Sequence, residues 1–169
     1  GDFVKDHAGN MKWYEKYLSV YGKPYADVSA EVMDGIRNRL RTLQSDEPLV
    51  SVVVIAYNEE KHLPACLWSL SESVCEYPME IIGVNNDSAD RTADVFEASG
   101  IPYHTELQHS CGYARRCGLQ YAQGKYYICI DSDTMYPPGY VQAMTDALQR
   151  PGIVAVSSLW RYMPDDSSA

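Results

Sequence analysis

Two aspartates, Asp131 and Asp133, follow an apolar run and are separated by a single residue, Ser132. Residues two apart in an extended chain project to the same side, so both carboxylates would face one cation. Ligation by oxygen alone suits Mg²⁺ or Mn²⁺, ions that also keep waters and take phosphate oxygens from a substrate. The bare D-x-D pattern is weak evidence, since two aspartates also end many strands in a solvated turn. Two further polar clusters, 57–59 and 85–87, follow apolar runs in the same way.

A scaffold for these clusters is visible from residue 49 onwards, where short apolar runs alternate with amphipathic stretches. Strands are predicted over 49–56, 80–84, 101–104, 126–130 and 153–157. Helices are predicted over 63–70, 89–98 (with Ser88 as N-cap), 110–122 and 139–148. This alternation favours an α/β fold with an open, mostly parallel, Rossmann-like sheet and helices on both faces.

The predicted sheet would bring the polar clusters together. In open parallel sheets, ligands bind beyond the carboxyl ends of the strands, where the strand order reverses. If the order is 3-2-1-4, the reversal lies between the first and fourth strands. The segments 56–59, 85–87 and 131–133 would then converge on one crevice.

The first 48 residues have a different pattern. Apolar residues at helical spacing predict two helices, over about 11–18 and 28–43, with a break at Gly22 to Pro24 between them. We therefore divide the chain into an N-terminal helical extension, 1–48, and a half domain, 49–169.

Charge and composition exclude several classes of function. The net charge of −9 offers no basic face to a nucleic acid, although a carboxylate-bound cation would still attract a nucleotide. Five cysteines without a C-x-x-C pair predict reduced, mostly buried thiols in a reducing compartment. The turn after the first strand has no glycine, and no G-x-x-x-x-G-K-[ST] loop occurs, so the known glycine-rich phosphate motifs are absent.

Three segments resemble the family 2 glycosyltransferases of the GT-A fold. They occur in the family's order and spacing, at 50–60, 84–92 and 112–124, and lead into the D-x-D at 131–133. The resemblance covers about residues 49–160. It implies binding of a nucleotide-diphospho-sugar with Mn²⁺ or Mg²⁺, with a UDP-sugar favoured as donor and a GDP-sugar as the other choice.

The resemblance also implies roles for individual positions. The donor would be bound by Ala56, Tyr57, Asn58, Glu59, Asn85, Asp87, Arg115, Asp131 and Ser132. Asp133 would coordinate the metal, and Asp131 would contact it through water or touch the ribose. Asn85 replaces the family's usual Asp, which leaves the nucleotide open because an amide both donates and accepts. Arg116 replaces the usual Asn of the A-R-N-x-G run.

For the full-length enzyme the resemblance implies inverting transfer of the sugar to an acceptor hydroxyl, assisted by a catalytic base. Asp165 and Asp166 follow the D-x-D too closely to be that base. We expect the base beyond residue 169, and the chain to be part of a longer enzyme. That enzyme is expected in the cytoplasm or at the inner face of a membrane.

Two alternatives stay open from the sequence. One is a non-catalytic module that binds a nucleotide-sugar or another protein. The other is a nucleotidyltransferase, which would require a glycine-rich first loop. The acceptor, whether a polysaccharide, a lipid or a protein glycan, is not readable from these residues, and neither is the oligomeric state.

Overall fold

The computed structural model describes residues 12–153. Two short 3₁₀ helices, Glu15–Ser19 and Tyr25–Asp27, come first. The α-helices are α1 (Ala30–Leu43), α2 (Leu63–Ser71), α3 (Thr92–Ser99), α4 (Cys111–Tyr121) and α5 (Tyr140–Leu148). The strands are β1 (Val50–Ala56), β2 (Met79–Asn85), β3 (Tyr103–Thr105) and β4 (Tyr126–Asp131).

Within this range the four strands form one parallel sheet in the order β3-β2-β1-β4. This confirms the predicted order and the α/β fold. Ala56 pairs with Asn85, and Ile55 pairs with Asp131. The register therefore ends β1, β2 and β4 at nearly the same level, so the loops that follow them share one edge.

The sheet has helices on both faces. The larger core joins α1, α2, α3 and α5 to one face, through residues such as Ile36, Leu67 and Phe96. Helix α4 covers the other face, where Ala114 and Cys117 pack in a smaller cluster. A strand between two such layers must be apolar on both sides, which explains the nearly continuous burial of β1.

The N-terminal residues agree with the expected helices only in part. The second helix is α1: Ser29 caps it by accepting a hydrogen bond from the Val32 N–H at 3.2 Å, and Ile36 and Leu40 are buried. In place of the first expected helix, the described residues form the 3₁₀ helix Glu15–Ser19. So short a segment gains little from helix propagation and depends on packing, which the buried Tyr17 provides.

Helix α3 begins three residues later than the sequence pattern predicts, and Ser88 is not its cap. The Ser88 Oγ instead accepts a hydrogen bond from the Asn58 N–H at 2.9 Å. Asp90 binds the first N–H of α3 instead, because its Oδ1 accepts a hydrogen bond from the Thr92 N–H at 2.9 Å. Helix α3 ends close to the predicted residue 98, and Gly100 closes it in the left-handed conformation with φ 74°.

The fifth predicted strand, 153–157, lies outside the described residues apart from Ile153, and the polar tail is also outside them. The division of the chain at residue 48 stays a prediction. Across 12–153, no helix has both the length and the apolar character that crossing a membrane would require.

Candidate functional site

The loop after β1 is fixed to the loop after β2 by hydrogen bonds between backbone N–H groups and side-chain oxygens. The Asn58 N–H donates to Ser88 Oγ at 2.9 Å, and the Asn58 Oδ1 accepts from the Ala89 N–H at 2.8 Å. The Glu59 N–H donates to Thr92 Oγ1 at 2.8 Å. Asn58 has φ 51°, a left-handed conformation that asparagine tolerates better than most residues. These two predicted donor-site loops therefore form one framework.

Two predicted binding residues, Ala56 and Asn85, belong to this framework and are buried, with exposed fractions of 1% and 5%. The Ala56 carbonyl oxygen accepts from the Asn86 N–H at 2.8 Å. The Asn85 Oδ1 accepts from the Ser88 N–H at 3.1 Å. The Asn85 side-chain oxygen is thus engaged in shaping the turn at the end of β2.

The side chain of Asn86 holds a third segment, 106–110, at the same edge of the sheet by hydrogen bonds. Its Nδ2 donates to the carbonyl oxygens of Glu106 at 2.9 Å and Gln108 at 2.7 Å. Its Oδ1 accepts from the Ser110 N–H at 3.1 Å, beside the start of α4. A single buried amide therefore holds the segment that leads into α4.

His109, in that segment, lies against two predicted donor-site residues. Its ring centroid is 4.8 Å from that of Tyr57. Its Nε2 lies 3.2 Å from the carbonyl oxygen of Asp87 and 3.3 Å from Asp87 Oδ2. Both oxygens are acceptors, so Nε2 donates. Tyr57 remains 47% exposed, which leaves aromatic surface for a planar ligand.

His109 was not predicted as a site residue, and Asn86 was predicted only as part of the polar cluster 85–87, without a role of its own. His109 is a lone histidine in a polar stretch, and nothing in its spacing connects it to Tyr57 about 50 residues earlier. Their contact arises only because β1 and β2 are neighbours in the sheet.

The D-x-D segment has a different local geometry from the one expected. Strand β4 ends at Asp131, and Ser132 and Asp133 lie in a turn rather than in extended chain. The Tyr136 hydroxyl closes this turn, accepting from the Asp131 N–H at 3.1 Å and donating to its carbonyl oxygen at 3.2 Å. Ser132 is buried, with 3% exposed, whereas Asp131 is exposed and Asp133 is half-buried. The relative orientation of the two carboxylates is therefore set by the turn and not by the alternation of side chains along a strand.

The buried thiol of Cys66 contacts the backbone of the first D-x-D aspartate. The Cys66 Sγ, on α2, donates to the Asp131 carbonyl oxygen at 3.7 Å. Burial raises the pKa of Cys66, and the negative charges of Asp133, Glu59 and Asp131 raise it further. Carboxylates from the β1 loop and the β4 turn therefore act on the same point.

Arg115 is exposed on α4, and its charge acts on β4. Burial raises the pKa of Cys129, and the positive charge of Arg115 opposes that rise. Cys129 and Asp131 are two residues apart in β4 and project from the same face. Helix α4 packs on this face of the sheet, where Cys129 joins its cluster, so Arg115 belongs to the helix on the side from which Asp131 projects.

The carboxylates fit a cation that is only partly ligated by protein. No cluster of three or more His, Cys, Asp or Glu in the described range would hold a metal ion by itself. Mg²⁺ and Mn²⁺ sites that serve phosphate substrates need only one or two carboxylates, with waters and phosphate oxygens completing the shell. Asp131 and Asp133, at an open edge of the sheet, supply such a donor set.

The sequence as a whole matches proteins of known class. A family model described as glycosyl transferase family 2 matches residues 51–168. A relative in Bacillus subtilis, EpsH, which carries a provisional glycosyltransferase name, is 34% identical over 105 residues; the match covers 59% of this chain and 30% of EpsH. The chain thus spans about a third of the length of such curated relatives.

Solved structures share the fold. A mannosyltransferase from Pyrobaculum calidifontis, in complex with GDP-Man and Mn²⁺, superimposes with a TM-score of 0.56 and 17% identity, over 84% of this chain and 46% of that one. Glucosyl-3-phosphoglycerate synthase from Mycobacterium tuberculosis, in complex with Mn²⁺, UDP and glucosyl-3-phosphoglycerate, superimposes with a TM-score of 0.54 and 21% identity. The superposition covers 72% of this chain and 45% of that one. Both confirm the GT-A fold. With the family model covering most of its length, the chain belongs to glycosyl transferase family 2.

Proposed function

We propose that the full-length protein is a glycosyltransferase whose donor, a nucleotide-diphospho-sugar, binds with Mn²⁺ or Mg²⁺ at the carboxyl edge of this sheet. The observation that carries the proposal is the convergence of the β1 loop, the β2 loop and the β4 turn. Their residues supply an aromatic surface, polar groups and three carboxylates at one edge. Membership of the family supports the reaction class.

The nucleoside would bind at the outer end of this edge. Tyr57 and His109 provide adjoining ring surfaces, and Asp87 accepts from the His109 imidazole and fixes its orientation. Stacking on such surfaces is available to every base, so identity would depend on hydrogen bonds to the base edge. Since the Asn85 oxygen already accepts from Ser88, Asn85 would present its Nδ2 as a donor to a carbonyl of the base. Uracil has carbonyls at two positions, which favours a UDP-sugar, and GDP remains the other candidate.

The diphosphate would lie near the D-x-D turn. A nucleoside diphosphate is an anion, and a chain of net charge −9 would repel it without local compensation. Asp133, with Asp131, would hold the divalent ion, which when bound neutralises charge on the departing nucleoside diphosphate. Arg115 would add positive charge from α4.

For the reaction we propose direct displacement at the anomeric carbon with inversion, by an acceptor hydroxyl. Within residues 12–153, the groups assigned here bind and orient the donor, and we assign none of them as the general base. The acceptor is a hydroxyl compound of unassigned class.

The test is turnover by the natural full-length protein. Incubation with a panel of UDP- and GDP-sugars and Mn²⁺ should release the matching nucleoside diphosphate from one donor, and chelation with EDTA should stop the release. Addition of candidate acceptors should increase the rate. Tight, metal-dependent binding of a donor without release under any condition would instead favour the non-catalytic module. The proposal is wrong if the protein neither binds nor turns over any nucleotide or sugar nucleotide of the panel.

A further inference from the structure

The N-terminal segment, defined as residues 12–28, reaches the D-x-D turn through one side chain. Tyr21 is buried, with 8% exposed, and its hydroxyl donates to the carbonyl oxygen of Asp133 at 2.9 Å. The bond connects residues 112 positions apart. Asp133 comes after the end of β4, where the pairing with β1 no longer holds the backbone. A contact from outside the sheet therefore helps to fix the second D-x-D aspartate.

The same tyrosine also contacts the loop after β1. Its ring lies 4.7 Å, centroid to centroid, from the ring of His62. The Nδ1 of His62 in turn lies 2.6 Å from Glu59 Oε2, an ion pair when the imidazole is protonated. Tyr21 therefore contacts the backbone of Asp133 directly, and it contacts the imidazole that is paired with the Glu59 carboxylate.

Hydrogen bonds to the two residues that precede His62 fix the position of Tyr21. The Gly22 N–H donates to the Lys61 carbonyl oxygen at 2.8 Å, and the Tyr25 N–H donates to Glu60 Oε2 at 3.1 Å. These bonds attach the N-terminal segment directly to the β1 loop. Movement of the segment would therefore move both Tyr21 and the acidic loop.

A second anchor lies farther from the site. The Tyr17 hydroxyl donates to Glu72 Oε1, at the end of α2, and Lys16 Nζ donates to Glu72 Oε2 at 2.6 Å. Tyr17 is as deeply buried as Tyr21 and belongs to the same segment. It makes its hydroxyl contact with α2, whereas Tyr21 makes its contact with the D-x-D turn.

We propose that Tyr21 is a positioning residue for metal-dependent donor binding. Its hydroxyl holds the Asp133 backbone so that the carboxylate meets the cation, and its ring keeps His62 against Glu59. The inference rests on the proposed function above. Residues that precede the sheet would then help to position the donor site, in addition to packing on the core.

The test compares Tyr21→Phe with Tyr17→Phe in the full-length protein. Each substitution removes one hydroxyl from a buried tyrosine of the same segment and keeps the ring. The measurement is the Mn²⁺ concentration that gives half-maximal binding of the preferred nucleoside diphosphate, read by fluorescence or calorimetry. Loss of stability alone leaves this concentration nearly unchanged as long as each variant stays almost fully folded, because the apparent affinity falls only in proportion to the folded fraction. A melting curve of each variant checks that condition.

For Tyr21→Phe we expect the half-saturating Mn²⁺ concentration to rise by about threefold to tenfold, the effect of one lost hydrogen bond. For Tyr17→Phe we expect the wild-type value and a lower melting temperature. Equal Mn²⁺ dependence in wild type and Tyr21→Phe would overturn the inference alone. The same rise in both variants would also overturn it, because it would show a general effect of the segment. Absence of metal-dependent nucleotide binding in the wild type would overturn the proposed function and the inference with it.

Discussion

Asn86 forms three hydrogen bonds to the backbone of the 106–110 segment from one buried side-chain amide. His109 reaches Tyr57 and Asp87 because this segment is held against β2. At the scale of single residues, the proposed nucleoside end of the site thus depends on a side chain that itself needs no contact with the ligand. At the proposed metal end, the Tyr136 hydroxyl similarly holds both backbone groups of Asp131.

Replacing Asn86 with Ala should weaken nucleotide binding and stability together. The loss of hydrogen bonds from a buried group should lower the free energy of unfolding by about 1–3 kcal/mol. Release of His109 should raise the Kd for the nucleotide several-fold. Urea denaturation and calorimetry measure the two effects. Asn38→Ala, on the exposed side of α1, is the control and should change neither. Unchanged nucleotide affinity in the Asn86 variant would show that the segment does not contribute to the site.

Cys66 should be unreactive in the folded protein. Burial and the charges of three nearby carboxylates raise its pKa, so the thiol stays protonated at pH values where an ordinary cysteine ionises. The contribution to stability is complete below the unfolded-state pKa of about 8.5 and is lost as pH rises from there toward the raised folded value. Alkylation followed by mass spectrometry at pH 8 should label the exposed Cys111 and leave Cys66 intact. Rapid native labelling of Cys66 would contradict its placement beneath the carboxylates.

At the scale of secondary structure, α4 must approach the sheet closely to bring Arg115 and the 106–110 segment to the site. Gly118 allows this approach, since a Cβ at this position would lie 2.4 Å from Val53 Cγ1 on β1. Gly118, one of the glycines in the family-like 112–124 segment, thus has a packing cause. At Gly139, before α5, a Cβ would meet nothing within 4 Å.

Gly118→Ala should lower the free energy of unfolding by about 1–3 kcal/mol, because the added methyl group overpacks the interface between α4 and β1. Gly139→Ala is the matched control and should change stability by less than about 0.5 kcal/mol. Chemical denaturation of both variants provides the comparison. A neutral Gly118→Ala would mean that α4 lies farther from β1 than described here.

The sequence was sufficient to predict four strands, because apolar runs such as 49–56 and 126–130 are long enough for buried strands. Their order was assumed, and the structure agrees with it. The helix predicted over 110–122 agrees closely with α4, Cys111–Tyr121, which Ser110 caps. The prediction of Ser88 as the N-cap of α3 was wrong because its hydroxyl accepts from the Asn58 N–H in the loop after the neighbouring strand. Local spacing does not encode such a tertiary contact. The turn at Asp133 was missed for the same reason: Tyr136 and Tyr21 shape it from outside the strand.

At the scale of the whole molecule, an acidic chain is proposed to bind an anionic donor. Net charge −9 disfavours phosphate ligands, so affinity should depend on local positive charge from a divalent ion and Arg115. The parallel sheet makes this arrangement possible by ending β1, β2 and β4 at one edge. Family 2 membership and the GT-A fold follow from the matches described above. The metal-dependent donor site is the central proposal.

Calorimetric titration of UDP and GDP into the full-length protein, with Mn²⁺ and with EDTA, tests that proposal most directly. The wild type should bind one of the two nucleotides with Mn²⁺ and lose at least about tenfold in affinity with EDTA. Asp133→Ala should show the weak, EDTA-like affinity under both conditions. Asp46→Ala, an exposed aspartate in the loop that precedes β1, should behave as wild type. Equal nucleotide affinity in wild type and Asp133→Ala, with Mn²⁺ present, would contradict the account.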